Sequence, residues 1–137
     1  MKKLFILLLI TINLFGIDWS GKINWAMNYD SAVKLAKTQN KLIMIDISKS
    51  DCPPCKYLAT KVYTDDEVAN YINKNFVPLF YLVDEDNLPV TVQNYFMGTT
   101  PTIMFLEPNG KLIYNMVGAR PPKVFLNILK SVNGDKK

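Results

Sequence analysis

The chain has 137 residues, 49% of them hydrophobic, and a formal charge of +4. That is the length of one domain with enough apolar content for a real core, which excludes a disordered or fibrous chain. Lys2 and Lys3 supply two of the charges, and no basic run interleaves with aromatics, so nothing points to nucleic acid. Histidine is absent, which removes His-activated nucleophiles and every histidine metal ligand.

The chain opens with MKKLFILLLITINLFG, two lysines followed by an apolar run from Leu4 to Phe15. That run is short for a transmembrane helix, which needs roughly 20 apolar residues. It reads as the apolar part of a secretory signal peptide over residues 1–16. Gly16 suits a cleavage site, whereas Leu14 is large for one, so an uncut anchor is the alternative. No cysteine follows the run to carry a lipid. Either way the domain is expected outside the cytoplasm, where a disulfide can persist.

Residues 17–28, IDWSGKINWAMN, form a leader with two tryptophans and no clear period. Asp30 can cap a helix starting at Ser31, with Val33, Leu35 and Ala36 as its apolar positions and an end near Asn40. LIMIDI, residues 42–47, is a near-continuous apolar run that suits a strand buried on both faces. A second helix starts at Pro53 or Pro54, since a first turn tolerates proline, and places Leu58 and Val62 on one face. Thr64 can cap a third, DDEVANYINKN, whose leading acids complement the helix dipole. FVPLFYLV, residues 76–83, reads as a strand that Pro78 assigns to an edge or a bulge. After the loop 84–89 comes a short helix to about Phe96. TIMFLE and KLIYNMV, residues 102–107 and 111–117, flank PNG as a hairpin around a type I turn. PPKVFLNILKSV closes the chain as a helix carrying Val124, Leu126, Ile128 and Leu129, and residues 133–137 are a polar tail.

Cys52 and Cys55 are the only cysteines, in SKSDCPPCKYL between the first strand and the second helix. Half a metal site, a structural staple and a redox couple are the three readings. Zinc wants four ligands, which two cysteines supply only through dimerisation. A disulfide across so short a loop stabilises little. A helix N-terminus favours a thiolate at Cys52, thiolate is the attacking species, and a second thiol one turn on can release the product. Strand, C-x-x-C and helix together therefore favour exchange chemistry. Metal carriage by the cysteines with methionines has little support, because the six methionines are scattered through apolar segments.

LIMIDISKSDCPPCKYL resembles the active-site strand and helix of thioredoxin-like proteins. YFMGTTPTIMFL resembles their second signature, and NMVGARPPKVFLNIL their closing strand and helix. The resemblance covers roughly residues 25–132, and the CPPC form is most similar to periplasmic thioredoxin-related proteins of bacteria. It implies an α/β thioredoxin fold over residues 29–132, a central mixed sheet flanked by helices on both faces. It also implies that Cys52 is the exposed nucleophile, Cys55 the buried resolving thiol and Pro101 a cis-proline facing the sulfurs. The backbone of Thr100 would pair with an extended substrate, and Pro53 and Pro54 would lie on the same substrate face. Asp46 matches a buried acid beneath the resolving cysteine. Among Ile45 and Ile47 its carboxyl should be desolvated, with a raised pKa, and able to take the Cys55 proton. A strand-end Asp turned to solvent is the alternative. Lys49 and Lys56 are expected on the surface. Gly98 and Gly118 match family glycines, and a bulge or tight turn also explains them.

Asp51 departs from the tryptophan common before the first cysteine, and CPPC departs from the CGPC of cytosolic thioredoxins. Both bear on the direction of electron flow. The expectation is a secreted thiol–disulfide oxidoreductase that reduces protein disulfides, with no cofactor beyond the Cys52–Cys55 couple. A membrane thiol oxidoreductase would be its electron donor, and a monomer its state. An oxidase or isomerase using the same couple, and a binding module with a structural disulfide, are the alternatives.

Overall fold

The computed structural model describes residues 16–135. The signal-peptide reading of residues 1–16 therefore falls, apart from Gly16, outside the described residues, as does the end of the polar tail. In chain order the elements are α1 (Tyr29–Gln39), β1 (Leu42–Ser48), α2 (Pro53–Tyr57) continued by a π-helical turn (Leu58–Val62), α3 (Asp66–Asn75), β2 (Phe76–Leu82), α4 (Val90–Gln93), β3 (Thr102–Leu106), β4 (Leu112–Val117) and α5 (Pro122–Val132).

The four strands form one mixed sheet in the order β2-β1-β3-β4. β1 runs parallel to β2 and antiparallel to β3, and β3 pairs antiparallel with β4. Successive strand residues face opposite sides, and the two cores divide the strands accordingly. Ile43, Ile45, Ile47, Val77, Leu79, Met104 and Leu106 pack with Ala32, Ala36 and Val92, under α1 and α4. Met44, Phe76, Ile103 and Phe105 pack with Leu58, Val62, Ile72, Phe125 and Leu129, under the helical run 53–62, α3 and α5. The expected sheet with helices on both faces is present, and β1 is buried on both sides because it is central.

Several local expectations shift. α1 starts two residues early: Asn28, not Asp30, caps it, in a reciprocal capping box with Ser31. Its buried positions are Ala32 and Ala36, while Leu35 is largely exposed. α3 is capped by Asp65 rather than Thr64, through the Asp65 carboxyl and the Val68 N–H at 3.0 Å. In α5 the buried residues are Phe125, Leu126 and Leu129, and Val124 faces out. Pro78 lies in edge strand β2, where a missing N–H breaks no ladder, and its carbonyl accepts from Ala26 N–H at 2.8 Å. The hairpin turn is as expected, with Gly110 N–H donating to Glu107 at 2.9 Å and Gly110 at φ 90°.

The leader is structured. Ile23 is buried, and Trp25 packs on the core beneath α2, α3 and α5. Asn73 of α3 holds the leader backbone on both sides, accepting from Asn24 N–H at 2.8 Å and donating to the Lys22 carbonyl at 2.9 Å.

Candidate active site

Everything the sequence nominates lies at one end of the sheet. β1 and β2 both end there, with Ser48 paired to Leu82. β3 begins there, with Ile47 paired to Thr102, so Pro101 and Thr100 come in beside the point where β1 gives way to the loop 49–51. β4 ends there too, with Val117 paired to Thr102 and Gly118 N–H donating to the Pro101 carbonyl at 2.8 Å.

Cys52 and Cys55 form a disulfide, their Cα atoms 5.2 Å apart. Cys52 is the N-cap of α2 and retains 9% of its surface, whereas Cys55, inside the first turn, retains 1%. A reagent in solution therefore reaches Cys52 first. Cys55 N–H points at Cys52 Sγ from 3.3 Å. Pro53 and Pro54 fill the first two helical positions and have no N–H to offer. The next N–H, of Lys56, is already bonded to the Cys52 carbonyl at 3.0 Å. Cys52 sulfur thus faces a single backbone donor from the helix start.

Asp46 is fully buried, which excludes the solvent-facing alternative. It lies on the sheet face covered by the run 53–62, between Phe80 and Ile103 in register. Burial lifts its pKa from 3.8 to about 6, opposed by hydrogen bonds from Ser48 and Tyr63. A carboxyl near that value can take and return a proton around neutral pH. The Thr100–Pro101 peptide bond is cis and Pro101 is buried. Among the described residues the Thr100 backbone makes no hydrogen bond. Pro53 and Pro54 are exposed. Lys49 is on the surface as expected, 3.4 Å from the Asp51 carboxylate, and Lys56 is half-buried. Gly98 and Gly118 both have positive φ, at 84° and 85°.

Three further residues complete the site, and no motif marks them. Ser48 and Tyr63 both donate to Asp46. Asp84, after β2, accepts from the Ser50 N–H at 3.1 Å and from its hydroxyl, pinning the loop that leads to Cys52. The Ser50 hydroxyl bond is the main cause holding the Asp84 carboxyl below its usual range.

A family model described as a thioredoxin-like domain matches residues 29–133. The chain belongs to the thioredoxin-like family. Thioredoxin H4 of Arabidopsis thaliana is 31% identical over 108 residues, 77% of this chain and 81% of that one. A thioredoxin from Thermus thermophilus superposes with a TM-score of 0.69 at 27% identity, covering 81% of this chain and 87% of its own. A Bacteroides thetaiotaomicron protein with a provisional disulphide-isomerase assignment gives a TM-score of 0.69 at 29% identity, over 84% and 96% of the two chains. The Cys52–Cys55 pair is thus the redox centre of a thioredoxin-like thiol–disulfide oxidoreductase. Among the described residues, no group of His, Cys, Asp and Glu is placed to hold a metal, and no helix is long and apolar enough to cross a membrane.

Proposed function

We propose that this thioredoxin-like protein works outside the cytoplasm, in the periplasm, as a monomeric reductase of protein disulfides. The observation that carries the direction is the single backbone N–H at the Cys52 sulfur. Strong oxidants of this chemistry owe their potential to a stabilised reduced form. Here Pro54 withholds the second-position N–H from the Cys52 thiolate, and Asp51 adds no favourable charge. The reduced form gains little, which supports a couple that gives its electrons away.

In the proposed cycle the Cys52 thiolate attacks a substrate disulfide, forming a mixed disulfide and releasing one substrate thiolate. Cys55 then gives its proton to the Asp46 carboxylate and attacks Cys52 Sγ. The Cys52–Cys55 bond forms, the Cys52–substrate bond breaks, and the second substrate sulfur leaves as thiolate to be protonated by solvent. Two electrons pass from dithiol to substrate. The open Thr100 backbone supports pairing with an extended substrate strand beside Pro101, while the exposed Pro53 and Pro54 would contact it from the helix side. Lys2, Lys3 and the apolar run 4–15 support export. In an oxidising periplasm the couple then needs a membrane thiol oxidoreductase to re-reduce it.

The Bacteroides neighbour favours a second reading, an isomerase that uses the same couple with no net electron transfer, while an oxidase would run the couple the other way. Incubation of the reduced protein with a disulfide-bonded protein substrate tests the proposal. Substrate thiols should be released at the expense of Cys52 and Cys55 thiols. Cys52→Ser should abolish release, and Cys55→Ser should stall as a mixed disulfide. Rescue of a scrambled substrate without net thiol release would favour isomerisation instead.

A further inference from the structure

Two hydroxyls converge on the buried Asp46 carboxyl. Ser48 Oγ donates to Oδ1 at 2.6 Å, and Tyr63 Oη donates to Oδ2. Tyr63, at the end of the π-helical turn, is as fully buried as Asp46. Among the described residues these are the side chains hydrogen-bonded to Asp46.

Tyr63 is itself held from the leader. Its ring meets Trp25 edge-on, centroids 5.2 Å apart, and Phe125 of α5 at 6.2 Å. Its carbonyl accepts from Lys22 N–H at 2.8 Å. Gly21 permits that approach: its φ is 55°, and a Cβ there would stand 2.7 Å from the Tyr63 oxygen. Trp25 also packs on Phe80, the β2 residue in register with Asp46, at 5.4 Å.

We propose that Tyr63 is the positioning residue of the buried acid, and that leader residues Gly21 to Trp25 hold its hydroxyl on Asp46. The segment ahead of the sheet thereby helps set the pH at which the carboxyl accepts a proton. The catalytic meaning of this rests on the reading of Asp46 as proton acceptor for Cys55. Burial, followed by the Asp46 charge, pushes the Tyr63 hydroxyl well above the usual phenol range, so it stays a donor while Asp46 changes state. Donation to a carboxylate favours the ionised form and opposes the burial that raises Asp46. The residues in register with Asp46 are apolar, Phe80 of β2 and Ile103 of β3, and Tyr63 sits in an apolar cluster with Val68 and Ile72 of α3, Phe125 of α5 and Trp25 of the leader. Among the described residues no charged side chain contributes to the raised pKa of Asp46. In the reduced protein the Cys52 and Cys55 thiols ionise as well, and Asp84, Asp51, Lys49 and Lys56 are the charged side chains described on the loop and helix side of the site.

Tyr63→Phe in the full chain keeps the ring and removes the hydroxyl. Titration of the Asp46 carboxyl by carbon NMR in the oxidised protein should show its midpoint about one pH unit higher, the size of one hydrogen bond to a charge. The exchange rate of the reduced protein should fall about fivefold near the wild-type midpoint and recover at higher pH, which a loss of stability alone does not produce. Trp25→Leu should move the midpoint the same way by less. An unmoved Asp46 midpoint in Tyr63→Phe overturns the proposal, and an unmoved midpoint in Trp25→Leu overturns the leader's part. Where Tyr63→Phe fails to fold, Trp25→Leu carries the test alone, and an unmoved midpoint there overturns the proposal. Asp46→Asn separates the two claims. If it leaves the pH–rate profile unchanged, Asp46 is not the proton acceptor, while the NMR midpoints still judge the hold of Tyr63 on Asp46.

Discussion

An ionised Asp46 works against the fold, and the size of that effect can be read from pH. Burial raises its pKa from 3.8 to about 6 in the folded protein. In the unfolded chain it returns to its ordinary value. The folded state binds the proton more tightly, so the stability contributed by the neutral acid is fully present below the unfolded pKa. It is lost as pH rises through the folded pKa. Two midpoints about two pH units apart correspond to about 3 kcal/mol. Asp46→Asn cannot ionise and lacks this slope. Urea unfolding of the oxidised wild type and Asp46→Asn, from about pH 3 to about pH 8, measures it. The gap between the two proteins should move in favour of Asn by about 3 kcal/mol over that range, or roughly 10 °C in Tm, and flatten at the alkaline end. Comparing changes across pH cancels the constant effect of giving Tyr63 an amide in place of a carboxylate. A gap that does not vary with pH refutes the reasoning.

Pro54→Gly restores an N–H at the second helical position, from which an N-cap side chain such as Cys52 Sγ accepts. One added hydrogen bond to the thiolate should raise the reduction potential by about 30 mV, measured by equilibration with glutathione. Gly21→Ala puts a methyl against the Tyr63 carbonyl at a φ of 55°. It should lower stability by about 1–3 kcal/mol in urea unfolding of the oxidised protein.

The parts of the fold that the sequence disclosed are those where one constraint dominates. The run 42–47 is apolar throughout because β1 is central and covered on both faces. Pro78 marks an edge because no interior ladder tolerates a missing N–H. Pro108 and Gly110 leave the 107–111 turn little choice. Helix starts were harder, because capping is decided by which of several neighbouring oxygens reaches an N–H. Asn28 wins over Asp30 through its reciprocal pair with Ser31, and Asp65 wins over Thr64, whose hydroxyl bonds back to the Thr60 carbonyl instead. Where Cys52, Cys55, Asp46 and Pro101 stand was legible from spacing and from resemblance. Tyr63 was not. Its partner is 17 residues away, and an aromatic on a buried helical face reads as packing. The leader was silent for a related reason: Trp19 and Trp25 pack against Phe80, far along the chain, and follow no local period.

The reduction potential of the Cys52–Cys55 couple, equilibrated against glutathione, tests the central claim most directly. A couple whose reduced form is little stabilised should lie near about −230 to −270 mV, in the range of thioredoxin-type reductants. A value near about −120 to −180 mV would put it with oxidants and isomerases and contradict the proposed direction of electron flow.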